Sequence, residues 1–195
     1  REFFLPGYRD LVRRIRAATD APVIVGGAGF SCMPGAALRY LEADWAVTGE
    51  GEGALVALLS RLDRGESPET VSGLAWRTAE GVRLNPPEPL RLADLSLSRR
   101  RHVDNARYFA EGGQGGIETK RGCDGRCIYC ADPLAKGRVT RVRPPEAVVD
   151  ELENLLALGI DHLHTCDSEF NVPEWHALEI CREITRRGLG GSHRL

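Results

Sequence analysis

Three of the six cysteines fall within eight residues, in Arg121-Gly122-Cys123-Asp124-Gly125-Arg126-Cys127-Ile128-Tyr129-Cys130. Three thiolates in one short loop are able to converge on one soft metal centre, and sulfur ligation suits zinc or an iron-sulfur cluster. Gly122 and Gly125 allow the backbone to fold tightly around such a centre. Positions 123, 127 and 130 also share one face of a helix, so a buried helical stripe is the plain alternative; two glycines inside the pattern and a strand ahead of it speak against that alternative. Zinc competes, but a closed zinc site needs four ligands, usually as two paired hooks, and no second hook is present. Cys166 or His164 is available to complete one. On a cubane of four irons, three cysteines leave one iron without a protein ligand, an open position for substrate or cofactor.

Two glycine-rich turns form a second set. Gly26-Gly27-Ala28-Gly29-Phe30-Ser31 follows the β-branched run Pro22 to Val25, and Gly49-Glu50-Gly51-Glu52-Gly53 follows Asp44 to Thr48. Turns after strands serve many ligands and equally often serve packing alone. Glu50 and Glu52 make the second a poor phosphate cradle. Asp167 and Glu169, in Cys166-Asp167-Ser168-Glu169-Phe170-Asn171, either meet a ligand or serve the start of the helix that follows. Arg99-Arg100-Arg101 reads as a solvated face, with anion binding the alternative. Cys32, Cys166 and Cys181 read as small core residues.

The elements that must position these residues alternate. An amphipathic helix spans Pro6 to Ala18, with Tyr8, Leu11, Val12, Ile15 and Ala18 on one face. A strand at 22–25, a helix at 34–41, a strand at 44–48 and a helix through Leu55, Leu58, Leu59 and Leu62 follow. Such an order predicts a parallel sheet covered by helices, with ligands at the loops beyond the strands' carboxyl ends and both glycine turns at one edge. Val71 to Trp76 and Gly81 to Leu84 predict an antiparallel hairpin on the sheet's edge. From Asn85 the pattern breaks at Pro86, Pro87 and Pro89, no sustained period follows as far as Gly113, and 89–113 reads as a linker. Gly116 to Lys120 is then a strand entering the cysteine loop, Val139 to Val142 a short extension, and Pro144-Pro145 open a helix that Gly159 ends. A strand at 160–165 precedes a last helix with Asn171 as N-cap and Glu174 three residues on. The repeated βα order implies parallel strands and the start of a barrel. The expected fold class is α/β, divided as 1–88, a linker at 89–113, and 114–195.

Composition is that of a globular chain, 42% hydrophobic and 28% charged, with formal net charge -2 from 26 basic and 28 acidic residues. That balance gives no broad electrostatic reason to expect nucleic acid as a partner. No apolar run reaches the roughly 18 residues of a membrane span, so none is expected. Clustered cysteines without a secretory leader favour metal binding in a reducing compartment, hence the cytoplasm. The chain opens on Arg1 and closes on Gly190 to Leu195, where a further strand is expected, which reads as a piece of a longer protein.

The Cys-x3-Cys-x2-Cys loop, preceded by Ile117-Glu118-Thr119-Lys120 and carrying Tyr129 before its last cysteine, resembles the signature of radical S-adenosylmethionine enzymes. The resemblance implies a 4Fe-4S cluster held by Cys123, Cys127 and Cys130, whose open iron is chelated by S-adenosylmethionine; one electron then cleaves the sulfonium to methionine and a 5'-deoxyadenosyl radical. It places Tyr129 against the adenine, and Asp167 or Glu169, Glu169 above all, near the methionine amino group; the Gly-Gly-Glu pattern common in the family is absent. Pro22 to Ser31, Tyr40 to Asp44, the Gly49 to Glu52 turn and Val103 to Tyr108 resemble the later half of a cobalamin-binding domain ahead of such a barrel. This implies a partial Rossmann-like domain joined to the first part of a partial (β/α)6 barrel, with Gly26, Gly27, Ser31, Gly49, Glu50, Gly51 and Glu52 near cobalamin. The Asp-x-His-x-x-Gly motif that supplies a lower axial histidine in many cobalamin proteins is absent; Asp161-His162-Leu163-His164 lacks its glycine. The implied activity is methyl transfer to an unactivated carbon or phosphorus centre of a small-molecule or natural-product substrate, with flavodoxin or ferredoxin as electron donor. Ring formation or oxidation by the same cofactors, a radical methylthiotransferase, and a non-catalytic metal- or corrinoid-binding module are the alternatives. Methylthiotransferases carry further cysteines ahead of the loop, where this chain has only Cys32.

Overall fold

Apolar residues at helical spacing near the start form α1 (Leu5–Ala18) in the computed structural model, which describes residues 4–94 and 100–189. Of its expected apolar face only Val12 is buried; Tyr8, Leu11 and Ile15 stay exposed. The chain is α/β. By contacts it divides into two units, the first made of the residues up to Leu90 together with Asp124–Arg138, the second of Arg91–Cys123 and the residues from Val139 onward.

In the first unit a four-stranded sheet runs in the order β1 (Ile24–Gly26), β2 (Trp45–Val47), β3 (Leu74–Thr78), β4 (Gly81–Leu84). β1 and β2 are parallel, and β3 and β4 form the antiparallel edge hairpin. Arg77 and Thr78, read as hairpin loop, extend β3 and leave a turn at Ala79-Glu80. Alternation along β2 and β3 explains the helices on both faces. Ala46 and Ala75, opposite one another and wholly buried, face a core with Val12, Phe30, Leu38 and Leu41. Val47, Leu74 and Trp76 point the other way and pack with Leu58 of α4 (Gly51–Asp63). The first glycine turn is itself the start of a short helix, α2 (Ala28–Cys32), ahead of α3 (Pro34–Leu41).

In the second unit β5 (Gly115–Ile117) pairs in parallel with β8 (Leu163–Thr165). The crossover contains α7 (Pro145–Ala157), which packs with α8 (Glu174–Arg186) over Ile117, Val148, Val149, Leu152, Leu155, Ile160, Ile180 and Ile184. Between them β6 (Lys120–Arg121) and β7 (Arg141–Val142) form a separate antiparallel pair that closes the cysteine loop at its base. α8 begins at Glu174 with Pro173 at its N-cap and no side-chain cap, so Asn171 does not serve as the cap its sequence position implied. The linker holds α5 (Asn105–Ala110), capped by the Asp104 carboxylate accepting from Arg107 N.

Two expectations are corrected here. Cys166 and Cys181 are exposed and Cys32 half-buried, so none is a core residue; on α8 the buried stripe is His176, Ala177, Ile180 and Ile184, and Cys181 sits one helical step off it. Arg100 is no solvated charge. Its guanidinium donates to a Glu151 carboxylate oxygen at 2.8 Å, Arg143 donates to the other at 2.7 Å, and Glu151 is 6% exposed. Arg99 and the terminal Gly190 to Leu195 lie outside the described residues. No helix of the described residues is long and apolar enough to cross a membrane.

Removing one member of a buried ionic group leaves the others uncompensated, at about 3 kcal/mol or more. Glu151→Ala is therefore expected to lower unfolding stability by about 3 kcal/mol in a denaturant titration. His176 is wholly buried and its Nε2 donates to the Arg143 carbonyl at 2.9 Å. Burial pushes its pKa down, and the charge of Lys120 acts in the same direction, against the Arg143 carbonyl and Asp167. The folded state thus prefers neutral His176: its contribution is complete above about pH 6.5, the unfolded value, and is lost as pH falls below it. Stability measured from pH 7.5 to 5 is expected to fall with pH, and His176→Gln, which keeps the donor, to flatten that fall.

Candidate functional site

In the first unit the parallel pairing of β1 and β2 brings their carboxyl-end turns to one edge of the sheet. Ser31 joins the two turns. Its Oγ donates to the Gly27 carbonyl at 2.9 Å and accepts from Gly49 N at 2.9 Å. Gly26 closes β1, Gly27 is the N-cap of α2, and Gly51 and Glu52 open α4. Gly49 has φ +70°, and a Cβ there would lie 2.9 Å from Cβ of Pro87, so only glycine fits this turn without strain. The Glu50 carboxylate accepts from Leu90 N at 2.7 Å and so holds the chain leaving the sheet.

The cysteine loop is irregular from Gly122 to Ala131 apart from a turn at Ile128-Tyr129, which removes the helical-stripe alternative. Gly122, with φ +88°, turns the backbone out of β6. Cys123 is half-buried and groups with the second unit; Cys127 and Cys130 are exposed and group with the first, where the following helix α6 (Asp132–Lys136) packs against α2. Ile128 and Tyr129 are fully turned to solvent. All six cysteines are free of disulfides. Among the described residues no three His, Cys, Asp or Glu side chains are gathered closely enough to hold a metal ion. The donor chemistry nonetheless fits a cluster: three thiols without disulfide partners sit within eight residues of one irregular loop.

The base of the loop is the best-tied part of the second unit. Asp167, just after β8, accepts from Thr119 N at 2.8 Å, Thr119 Oγ1 at 2.5 Å and Lys120 N at 3.2 Å. Arg143 N donates to the Thr119 carbonyl at 2.9 Å, and the Arg143 side chain donates to the Glu118 carbonyl. Lys120, 3% exposed, donates through Nζ to the carbonyls of Phe170 at 2.6 Å and Val172 at 2.8 Å. Burial pushes its pKa below the usual lysine value, while Asp167 and Glu169 act the other way. The two acidic candidates thereby separate. Asp167 is committed to the backbone of 119–120, whereas Glu169 is exposed and its carboxylate has no hydrogen-bond or ion-pair partner among the described residues. Sequence reasoning passed over Thr119, Lys120, Arg143 and His176, which bond to Asp167, Val172, Glu118 and Arg143 at separations of 48, 52, 25 and 33 residues. No local pattern marks such contacts.

No family model matches the chain. It is 35% identical to tryptophan 2-C-methyltransferase of Streptomyces laurentii, over 94% of this chain and 39% of that protein. Among solved structures it matches the radical S-adenosylmethionine methyltransferase TsrM of Kitasatospora setae, which holds cobalamin and a 4Fe-4S cluster, with TM-score 0.87 and 37% identity over 96% of this chain and 38% of that one. The cobalamin-dependent S-adenosylmethionine radical enzyme OxsB, at 23% identity and TM-score 0.75 over 95% of this chain and 27% of that one, shares the fold.

Asp167→Ala is expected to strand three donors and lower unfolding stability by about 2 kcal/mol. Glu169→Ala is expected to stay within about 0.5 kcal/mol of the parent in the same titration. With sequence and fold matched over nearly all of its own length and under two fifths of theirs, the chain is a homologue of the cobalamin-dependent radical S-adenosylmethionine methyltransferases.

Proposed function

We propose that this chain is part of a cobalamin-dependent radical S-adenosylmethionine methyltransferase, with residues 1–88 the later part of a Rossmann-like cobalamin-binding domain, 89–113 a linker and 114–195 the first part of a partial (β/α)6 barrel. The observation that carries the reading is the three-cysteine loop lying in a chain 37% identical, over 96% of its length, to an enzyme solved with both cofactors. When bound, a 4Fe-4S cluster supplies the electron that cleaves S-adenosylmethionine to methionine and a 5'-deoxyadenosyl radical, and cobalamin carries the methyl group.

The chain's own residues bind and orient. Cys123, Cys127 and Cys130 are the three cluster ligands, leaving one iron open to S-adenosylmethionine. Tyr129, between two of them in the loop and open to solvent, packs on the adenine in this reading. Glu169 receives the methionine amino group, and Asp167 fixes the segment that carries it. Gly26, Gly27, Ser31, Gly49, Gly51 and Glu52 approach cobalamin from the carboxyl edge of the first sheet, where the absence of side chains at the glycines admits a large planar ring. Glu50 holds the departing chain beside them. The substrate is a small molecule, as tryptophan is for the solved relative. An external one-electron donor of the flavodoxin or ferredoxin type and a cytoplasmic setting complete the reading.

Reconstituted without oxygen, the full-length protein is expected to hold about four irons and four sulfides per chain. Each of Cys123→Ala, Cys127→Ala and Cys130→Ala is expected to lose most of that iron while keeping the circular dichroism of the parent. Stoichiometric zinc in place of iron, or iron retained by all three variants, contradicts the assignment.

A further inference from the structure

We infer that Lys120 is a positioning residue that sets Glu169 at a fixed place relative to Cys123, so that these two residues of the second unit meet S-adenosylmethionine in a set register. The inference rests on the reading above and adds to it a residue that contacts neither metal nor cofactor.

A lysine with 3% of its surface exposed is uncommon, since removing an ammonium from water is costly unless its donors are satisfied. Here Nζ is satisfied by the carbonyls of Phe170 and Val172 and lies 5.6 Å from the centre of the Phe170 ring, a cation-π arrangement. Those carbonyls close the far end of a stretch, 166–173, that no strand or helix holds. Asp167 ties the same stretch at its other end to Thr119 and to Lys120 N. The segment from Asp167 to Val172 is thus pinned to residues 119 and 120 before and after Glu169, the one acidic residue in it whose carboxylate is uncommitted among the described residues. Lys120 in turn pairs with Val142 in the β6–β7 closure, and Cys123 follows three residues later. Packing alone would be served by an apolar side chain; two convergent carbonyl contacts from one buried cation fix direction as well as contact.

The test uses the full-length protein, reconstituted anaerobically, with Lys120→Met, Glu169→Gln and the double variant. Iron content and the spectrum of the reduced cluster report loading, and the S-adenosylmethionine concentration giving half of the spectral change reports binding. Lys120→Met is expected to load its cluster as the parent does and to raise that concentration about tenfold, the loss of one charge-assisted contact. Glu169→Gln is expected to raise it similarly, and the double variant no further than the weaker-binding single, because the two act through one contact. Unchanged binding in Lys120→Met, or losses that simply add, overturns the inference. Should Lys120→Met fail to fold, Lys120→Gln, which keeps one donor, is read by the same criteria. A parent protein that loads no cluster, or whose spectrum ignores S-adenosylmethionine, refutes the proposed function itself and this inference with it, before any substitution is made.

Discussion

A single carboxylate holds the second unit's chemistry in place. Asp167 stands just past the end of β8 and accepts three hydrogen bonds from Thr119 and Lys120, at the end of the neighbouring run of chain. Parallel pairing of β5 with β8 brings those residues side by side but ends at Ile117 and Thr165. Beyond that point backbone bonding between the two segments gives way to side chains: Asp167 and Lys120 across the gap, with Arg143 and His176 behind them. The irregular cysteine loop begins where this tied region stops. A tied root and an irregular body thus stand within a few residues of one another.

The first unit solves a related problem with small groups. Two parallel strands end together, and a serine hydroxyl bridges the turns that follow, donating to one and accepting from the other. Glycine at position 49 lets the second turn pass under Pro87. Backbone and small groups thus predominate where the proposed function puts the corrinoid.

Much of the architecture was legible because periodicity is local. α3 and α7 stand where helices were expected, and the edge hairpin appears where β-branched and glycine residues signalled it. The cysteine loop was legible because its three ligand candidates are neighbours in sequence. The exceptions share one cause. Arg100 looked like part of a solvated run because its partner, Glu151, lies 51 residues away. Lys120 looked like an ordinary strand residue because the carbonyls it bonds belong to residues 170 and 172. Glu169 was preferred to Asp167 on resemblance alone, and only the fold shows one spent on Thr119 and Lys120 donors and the other open to solvent. Asn171 had the right spacing for a cap but the helix starts beyond it.

Cys123, Cys127 and Cys130 are proposed to hold a cluster with one iron open to S-adenosylmethionine. Electron paramagnetic resonance of the reduced, reconstituted full-length protein, recorded with and without S-adenosylmethionine, tests it most directly. The account predicts a signal from one reduced 4Fe-4S cluster whose g-values move when S-adenosylmethionine is added. A folded protein with no such signal, or with a signal that S-adenosylmethionine leaves unmoved, would contradict it.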